Sequence, residues 1–402
     1  MKKLLLLGGI SYLIPVIKAA KKLGYYVITC DYLPDNSAHK YSDEFHNVSI
    51  LDKEAVLMLA QSLQIDGIMS FAVDPGVVTA AYVADKMNLP IPGSYESVKI
   101  LQNKGLFRQF LKEHNFNVPK SSTYSDMEQA INEFDDADLP VIVKPVDSAG
   151  SKGVSKVNAK KELKRAIEYA LQFSATKTFI IEEFLEGKGF SSDTDCFSIN
   201  GELTFVSFSN QRFDANAANP YTPSAYSWPS GIAQHNQTYL KNELQRLISL
   251  LEMKSSVYNI EVRETTDNNA YIMEVSPRGG GNRLSEMLHY ATGVDLISRA
   301  IQAAMGEKVD PISPAEYDGN WAIVVLYSNV QGIFKKLKIA EEIKEAVVEV
   351  ELRIDKGDKV NVFSAANDAI GTVVLQMADK QKLEEVLADY PRFFQVLVED
   401  SI

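Results

Sequence analysis

Two glutamates in neighbouring strand-like runs have the spacing that points most directly to chemistry. Glu261 and Glu274 lie on either side of the polar segment 266–269, and both flanking runs are rich in β-branched and aromatic residues. A turn centred between Asp267 and Asn268 would place the two glutamates directly opposite each other on paired strands. Facing carboxylates repel each other unless a cation lies between them, and Mg²⁺ is commonly held by one or two carboxylates with water and nucleotide phosphates. The pattern predicts a Mg²⁺ site, against the alternative of a solvated sheet face with two unrelated acids.

A lysine followed by a glycine-containing loop is the second candidate. Lys144 lies near the end of the β-branched run 139–145, and Gly150, Ser151 and Gly153 follow shortly after it. Small residues let backbone N–H groups approach phosphate oxygens, and the lysine adds a positive charge. The spacing differs from the P-loop consensus, which excludes a P-loop NTPase. Taken alone, such a loop is more typical of an ordinary hairpin turn.

The run 178–187 passes from apolar residues to glutamates and ends at Gly187. An extended backbone of this kind can offer N–H and C=O groups to the edge of a heteroaromatic ring, while the Glu182 carboxylate accepts from an exocyclic amine. The alternative is a strand end with solvated glutamates, and the run by itself favours that alternative.

Arg278 and Arg283 flank a glycine run immediately after Glu274. Guanidinium groups beside a metal-bound triphosphate would neutralise the charge that develops during phosphoryl transfer. The alternative is a flexible surface loop.

The elements that must position these residues can be predicted from their periodicity. The first 90 or so residues alternate strand-like and helical runs, which is typical of a parallel sheet with helices on its faces. The first turn has only Gly8-Gly9 and lacks the dinucleotide-binding fingerprint, which disfavours a dehydrogenase. A helical pattern runs from Ser94 to about His114, and residues 213–232 show no periodicity, so we expect a long, lid-like loop there.

The composition excludes several classes of protein. The 402 residues carry 41 Lys and Arg against 53 Asp and Glu, a net charge of -12, which argues against a nucleic-acid partner. The apolar run 4–7 is too short for a signal peptide, and no stretch reaches the length of a membrane span. The chain has two cysteines, Cys30 and Cys196, which we interpret as buried thiols. We therefore expect a cytoplasmic protein without a membrane partner.

Taken in chain order, these four motifs resemble the ATP-grasp superfamily, and the resemblance extends along the whole chain. It implies a fold that is partly α/β and partly α+β, with three domains. Residues 1–93 resemble the preATP-grasp domain, a Rossmann-like parallel sheet, and residues 94–307 resemble the ATP-grasp fold, with a lid subdomain at about 119–185. Residues 308–402 are similar to the small C-terminal α+β domain of the biotin-carboxylase-like branch.

The resemblance also implies ATP and Mg²⁺ as cofactors and assigns roles to individual residues. The implied contacts are Lys104 and Lys144 with the phosphates; Gly150, Ser151 and Gly153 over the triphosphate; Glu182 and the backbone of Phe184 and Leu185 with adenine; and Glu261 and Glu274 with Mg²⁺. Arg278 matches the arginine of the family's E-x-N-P-R signature.

Two positions depart from the family. Ser276 replaces the signature asparagine, and Gly189 replaces an acid that binds ribose in many relatives.

The activity implied by the resemblance is an ATP-dependent carboxylate-amine ligase. Such an enzyme activates a small-molecule carboxylate as an acyl phosphate and joins it to an amine, releasing ADP and phosphate. We place catalysis and substrate recognition at Arg278, Arg283 and the loop 212–232. The alternatives are a carboxylase that uses bicarbonate, of the biotin-carboxylase or purine-pathway type, and a catalytically reduced ATP-binding regulatory protein. The resemblance is also compatible with a homodimer.

Overall fold

The computed structural model describes residues 1–314 and 316–399. Its N-terminal part is a parallel sheet with the strand order β3-β2-β1-β4. The strands are β1 Lys3–Leu7, β2 Tyr26–Cys30, β3 Glu44–His46 and β4 Gly67–Ser70, and the helices are α1 Ile14–Lys22, α2 Lys53–Leu63 and α3 Asp74–Met87. Residues 4–7 of β1 are fully buried, and alternate leucines belong to separate apolar clusters on the two faces of the sheet. This two-sided burial explains the continuous apolar run in the sequence and confirms the predicted parallel sheet.

The helical pattern predicted from Ser94 onward forms two helices, α4 Tyr95–Gln102 and α5 Lys104–Glu113. Asn103 separates them, and its side-chain Oδ1 caps α5 by accepting a hydrogen bond from the Leu106 N–H at 3.1 Å. The break places Lys104 at the first residue of a helix.

A four-stranded sheet with the order β5-β8-β6-β7 follows. Its elements are β5 Ser121–Tyr124, α6 Met127–Glu133, β6 Val141–Pro145, β7 Ser155–Val157, α7 Lys160–Gln172 and β8 Phe179–Glu183. Strands β6 and β7 form an antiparallel hairpin, and the glycine-containing loop connects them. The hinge run predicted around Glu182 is the end of β8.

The sheet that carries the paired glutamates has the order β10-β9-β13-β14. Its elements are β9 Ser192–Ile199, β10 Glu202–Phe205, α8 Gln234–Leu250, β13 Ser256–Glu264, β14 Ala270–Ser276, α9 Leu284–Thr292 and α10 Leu296–Ala304. Leucines of α8 pack with Ile260 and Ile272 in one apolar cluster, while α9 and α10 contribute to the cluster that contains Phe197 and Val257. The sheet is therefore packed on both faces, which makes it a rigid support for a site.

The expectation of a structureless loop over residues 213–232 is wrong in its second half. Strand β11 covers Asn210–Phe213, and strand β12 covers Pro223–Trp228, almost fully buried. The polar composition concealed β12 because its serines are paired inside the sheet; the Ser227 hydroxyl, for example, accepts from the Asn210 side chain at 3.1 Å. Burial of a strand on both faces removes the alternation on which the prediction relied.

The C-terminal part contains two antiparallel sheets, with the orders β11-β12-β15-β19-β17 and β18-β16-β20. Its elements are β15 Asn320–Leu326, β16 Gly332–Ile339, β17 Val347–Leu352, β18 Lys359–Val360, β19 Gly371–Met377, α11 Lys380–Ala388, α12 Tyr390–Phe393 and β20 Phe394–Glu399. The first sheet joins strands from both sides of residue 308. The predicted combination of α/β and α+β architecture is confirmed, whereas the exact domain boundaries stay predictions.

Two further expectations concern the whole described chain. Within residues 1–314 and 316–399, no helix combines the length and the apolar character needed to cross a membrane. Cys30 and Cys196 are both buried and unpaired, as predicted.

Candidate functional site

Glu261 and Glu274 lie directly opposite each other on β13 and β14, as the sequence predicted. The register nevertheless shifts by one residue just beyond them, since Val262 pairs with Ile272 and Met273 is the extra residue. The turn is therefore offset from the predicted centre, and the bulge brings the two acids back into register. A β-bulge beside a site is a common way to aim a side chain.

The electrostatics of this pair fit a bound cation. Burial raises the pKa of Glu261 and so does the charge of Glu274, although Arg263 opposes both effects. The Lys104 Nζ lies 3.4 Å from the Glu274 Oε2. Across the described part of the chain, no group of three or more His, Cys, Asp or Glu residues could hold a metal ion. A metal at Glu261 and Glu274 would thus need water or phosphate oxygens as further ligands, which is the usual coordination of Mg²⁺.

Lys104 connects this hairpin to the glycine-containing loop. Its Nζ donates to the Ser148 carbonyl at 2.9 Å, and its backbone N–H donates to the Val146 carbonyl at 2.9 Å. Gly150, Ser151 and Gly153 all have positive φ angles, so the loop adopts a tight left-handed course that favours glycine. The Ser151 hydroxyl donates to the Tyr221 carbonyl at 2.9 Å, so the loop also contacts the 212–232 segment.

Lys144 and Glu182 form a buried ion pair with Arg108. The Lys144 ammonium contacts the Glu182 Oε1, and the Arg108 Nε donates to the Glu182 Oε2 at 3.0 Å. Although burial raises the pKa of Glu182, Arg108 and Lys144 lower it more strongly, to about 2. Burial also lowers the pKa of Lys144, against the effect of Glu182. Both carboxylate oxygens of Glu182 therefore have cationic partners.

Arg108 also contacts the glutamate hairpin. Its Nη1 donates to the carbonyl of Met273, the bulged residue, at 2.8 Å, and its Nη2 is buried without a partner among the described residues. One guanidinium group thus joins the β8 hinge to the bulge beside Glu274. Sequence reasoning missed Arg108, because nothing in its helix indicates that it crosses to two other elements.

The backbone of the hinge is partly used within the protein. The Phe184 N–H donates to the Pro140 carbonyl at 3.2 Å, and the Leu185 carbonyl accepts from the Arg263 Nη1 at 3.3 Å. Adenine recognition by these two residues stays a prediction. It would depend on the Phe184 carbonyl and the Leu185 N–H, which these two hydrogen bonds do not use.

Arg278 faces the N-terminal domain. Its Nε and Nη2 donate to the two carboxylate oxygens of Asp74 at 2.9 and 2.7 Å. The Ser276 hydroxyl donates to the same Asp74 at 3.0 Å and accepts from the Gln102 side chain at 2.6 Å. Ser276 is thus oriented toward Asp74 and Gln102, and these two contacts occupy its hydroxyl.

Arg283 faces the C-terminal sheet instead. Its Nη2 lies 2.9 Å from the Glu286 Oε1 and 2.8 Å from the Glu349 Oε2, while its Nε lies 3.4 Å from the Glu351 Oε2. Although burial lowers the pKa of Arg283, these carboxylates raise it overall. The structure therefore does not bring the two predicted catalytic arginines into one cluster, and the catalytic role of each stays a prediction.

Two further charged residues, Asp195 on β9 and Arg353 after β17, escaped the sequence analysis. Asp195 is buried on β9 and Asp193 is half-buried beside it; desolvation raises the pKa of Asp195 to about 6 and, together with the charge of Glu261, raises the pKa of Asp193 to about 7. Asp195 accepts a hydrogen bond from the Gly280 N–H at 2.8 Å and thereby helps to hold the backbone of the glycine run in place. The alternation of Asp193 and Asp195 along one strand face was a signal that could have been used. Arg353, by contrast, had no local signal.

Arg353 follows β17 in the C-terminal part and contacts Tyr12 of the N-terminal part. Its Cζ is 4.3 Å from the centre of the Tyr12 ring, a stacking geometry typical of arginine. Its Nε and Nη2 are buried without a hydrogen-bond partner among the described residues, and the Glu351 Oε2 is 3.8 Å from the Nη2. Buried guanidinium nitrogens without partners are costly, and a bound anion would satisfy them.

Comparison with known proteins agrees with this arrangement. Residues 137–286 match the family model described as the ATP-grasp domain. The chain therefore contains an ATP-grasp domain, and the resemblance to the ATP-grasp superfamily is confirmed. The match to this family model includes the glycine-containing loop, the hinge, both paired glutamates and both arginines of the glycine run.

The curated relatives include carbamoyl phosphate synthase large chains. That of Thermoanaerobacter sp. (strain X514) is 26% identical over 224 residues, covering 54% of this chain and 20% of the relative. That of Clostridium acetobutylicum is 25% identical over 305 residues, covering 72% of this chain and 27% of the relative. The chain thus spans only about a quarter or less of the length of these relatives.

Solved structures share the fold along nearly the whole chain. An L-amino acid ligase from Bacillus licheniformis has a TM-score of 0.81 at 19% identity and covers 100% of this chain and 99% of that chain. A phosphoribosylglycinamide synthetase from Anaerococcus prevotii has a TM-score of 0.76 at 20% identity, with 99% and 100% covered. The biotin carboxylase domain of a Hydrogenobacter thermophilus 2-oxoglutarate carboxylase has a TM-score of 0.77 at 15% identity, with 99% and 91% covered. At these identities the likeness establishes the fold.

Proposed function

We propose that this protein is an ATP- and Mg²⁺-dependent ligase that activates a substrate carboxylate as an acyl phosphate and joins it to an amine. The observation that carries the proposal is the pairing of Glu261 and Glu274 directly across a hairpin, with Lys104 beside them, inside an ATP-grasp domain. Two opposed acids on a packed sheet are unfavourable without a cation, and Lys104 forms an ion pair with Glu274 alone, so the arrangement is best explained by a further cation that binds between the two acids.

In this proposal, Glu261 and Glu274 hold Mg²⁺, while Lys104 and Lys144 bind the phosphates of ATP. When bound, ATP supplies the phosphoryl group that activates the carboxylate. Lys144 pairs with Glu182 through one contact, and its ammonium group has three N–H donors, so it can contact a phosphate while it keeps Glu182. Arg108 also pairs with Glu182 and helps to compensate the buried carboxylate.

The substrate side of the site is proposed to lie at the junction between the domains, where Arg278 faces the N-terminal domain and Arg283 faces the C-terminal sheet that precedes Arg353. The buried, unpartnered nitrogens of Arg353 support an anionic substrate group, because a carboxylate or phosphate would satisfy them. The carboxylates that surround Arg283 support a neighbouring position for a substrate amine. A substrate with both kinds of group, such as an amino acid, would suit this junction.

A carboxylase or a bicarbonate-dependent ligase is the second candidate. The carbamoyl phosphate synthase relatives and the biotin carboxylase structure, which is a complex with MgADP and bicarbonate, favour it. Bicarbonate is itself a small carboxylate, so the same site could activate it by the same chemistry.

One experiment tests the function and separates the two candidates. Purified protein is incubated with MgATP and either a panel of paired L-amino acids or bicarbonate with ammonium, and ADP and phosphate release are measured. Stimulation by amino acids supports the ligase, and stimulation by bicarbonate supports the second candidate. ATP binding without stimulation by any member of the panel would contradict both and favour a regulatory ATP-binding protein.

We further infer that the partners are small molecules and that the protein works in the cytoplasm. The net charge of -12 and the two buried, unpaired cysteines support these inferences. A homodimer is proposed by analogy with the biotin carboxylase domain, whose structure is a dimer. Sedimentation analysis of the purified chain tests that proposal.

A further inference from the structure

A short segment of the N-terminal domain, residues 71–74, contacts the loop of residues 276–283, which we call the glycine–arginine loop. The Ala72 N–H donates to the Gly279 carbonyl at 3.0 Å. The Phe71 ring lies so close to Gly279 that a Cβ there would be 2.0 Å from the Phe71 Cζ. Only glycine fits at this position, and the two segments are therefore held in one relative placement.

The backbone of the 71–74 segment is itself unusual. Ala72 has a φ of 56°, a left-handed conformation that non-glycine residues rarely adopt. Such a conformation persists only where surrounding contacts enforce it, and it is concentrated at functional sites. It points the Ala72 N–H toward Gly279 and brings Asp74 to the first residue of α3.

Asp74 determines how the Arg278 guanidinium is presented. A guanidinium has five N–H donors, and Asp74 accepts from the Nε and the Nη2 while the Gly279 carbonyl accepts from the Nη1 at 3.0 Å. Two N–H donors of Arg278 consequently remain for another acceptor. The bidentate pairing fixes the plane of the guanidinium and therefore the direction of those two donors.

Ser276 belongs to the same network. Its hydroxyl lies between the Gln102 side chain, at 2.6 Å, and the Asp74 carboxylate, at 3.0 Å. Ser276, at the end of β14, thus connects Gln102, the last residue of α4, with Asp74, the first residue of α3. Ser276 lies two residues after Glu274. A hydroxyl is short enough to fit between these partners, which gives the departure from the family signature a structural role in this chain.

We propose that Asp74 is a positioning residue for the phosphoryl-transfer step, which it serves by orienting Arg278. This inference rests on the proposed function. In the Michaelis complex, the two remaining N–H donors of Arg278 would meet the anionic oxygens of the reacting groups, and Asp74 would hold them there before the substrate arrives. The N-terminal domain thereby contributes to catalysis through a residue that does not touch the substrate.

The test compares Asp74→Asn with Asp85→Asn, an exposed position on the same helix, using MgATP and whichever substrate of the panel releases most phosphate. In Asp74→Asn, the amide NH₂ or the loss of charge disrupts one arm of the bidentate pair, so the kcat should fall by about 10- to 100-fold. The affinity for ATP, measured by calorimetry, should change by less than about threefold, because the phosphate-binding lysines are untouched. Asp85→Asn should match the wild type in both measurements.

A double-mutant cycle distinguishes positioning from general support of the fold. If Asp74 acts through Arg278, then adding Asp74→Asn to Arg278→Ala should lower the kcat by less than about twofold further. Equal additional losses in both backgrounds would overturn the proposal. If Asp74→Asn does not fold, Asp74→Glu takes its place in the test, because it retains the charge but shifts it by one methylene. Wild-type kcat in a folded Asp74→Glu or Asp74→Asn variant would also overturn it.

Different results would contradict the proposed function and the positioning role of Asp74. A wild-type protein without turnover on any member of the panel contradicts the proposed function and this inference together. An active wild type with an unaffected Asp74→Asn variant contradicts this inference alone.

Discussion

The nucleotide side and the substrate side of the candidate site are built in different ways. On the nucleotide side, the charged residues pair with partners from the same domain, as in Lys144 with Glu182 or Lys104 with Glu274. On the substrate side, Arg278 pairs with Asp74, 204 residues earlier in the chain, and Arg283 pairs with Glu349 of the C-terminal sheet. One side depends on the packing of strands and a helix within one domain, whereas the other depends on how domains dock. Substitutions on the two sides should therefore change different measurable quantities.

The largest effect is expected at Glu274. Glu274→Gln removes one proposed Mg²⁺ ligand and should lower Mg²⁺-dependent turnover by about 10²- to 10³-fold. Without metal, the variant should have an equal or slightly higher Tm, because the repulsion that helps to raise the pKa of Glu261 is lost. Phosphate release and a thermal melt in EDTA measure the two outcomes. Glu202→Gln, at an exposed position, is the control, and wild-type turnover in Glu274→Gln would refute the nucleotide-side assignment.

Arg108→Met should show the next largest effect, on stability. Both Arg108 and Glu182 are 3% exposed, and removing one partner of a buried ion pair costs about 3–5 kcal/mol. The pKa of Glu182 is held at about 2, below the ordinary 4.5, so its contribution is complete above pH 4.5 and is lost as the pH falls toward 2.

Without Arg108 the pKa of Glu182 should rise, and acid unfolding, followed by circular dichroism, should begin at a higher pH than in the wild type. Arg165→Met, at an exposed position on α7, is the control. Identical acid-unfolding curves for wild type and Arg108→Met would show that the ion pair does not support the fold.

The smallest effect is expected at Arg283. If this residue serves the substrate side, Arg283→Gln should raise the KM of the stimulating substrate by about tenfold, the cost of one hydrogen bond between charged groups. The ATP affinity should stay within about threefold of the wild type, because none of the proposed phosphate contacts is altered. Steady-state kinetics and calorimetry give the two values, with the exposed Arg392→Gln as the control. A selective loss of ATP affinity would instead move Arg283 to the nucleotide side.

Features that depend on neighbouring residues could be predicted from the sequence, whereas features that depend on distant residues could not. The N-terminal sheet was predictable because β1 is buried on both faces and its leucines form an unbroken run. The opposition of Glu261 and Glu274 was also predictable, although the turn is offset and a bulge at Met273 compensates for the offset. That bulge is held by Arg108 from another element, so no local pattern could have indicated it.

Strand β12 was missed for a related reason. Its sequence mixes small residues and serines with the buried Tyr226 and Trp228, and it becomes a strand because β11 and β15 pair with it on either side. β11 lies ten residues before β12, but the second partner, β15, lies about a hundred residues further along the chain, so part of what makes Pro223–Trp228 extended is absent from its own neighbourhood.

The amino-acid sequence alone determined the kinds of chemistry available and the order in which they occur. Paired acids, a lysine before a glycine loop and arginines beside a glycine run are local features, and strand alternation and turn chemistry are short-range physics. The tertiary structure decided which charges meet. It directed Arg278 to Asp74, Arg283 to the C-terminal carboxylates and Arg108 to the hinge and the bulge. Such pairings depend on the packing of distant elements, because an ion pair forms wherever the folded backbone brings opposite charges within a few ångströms.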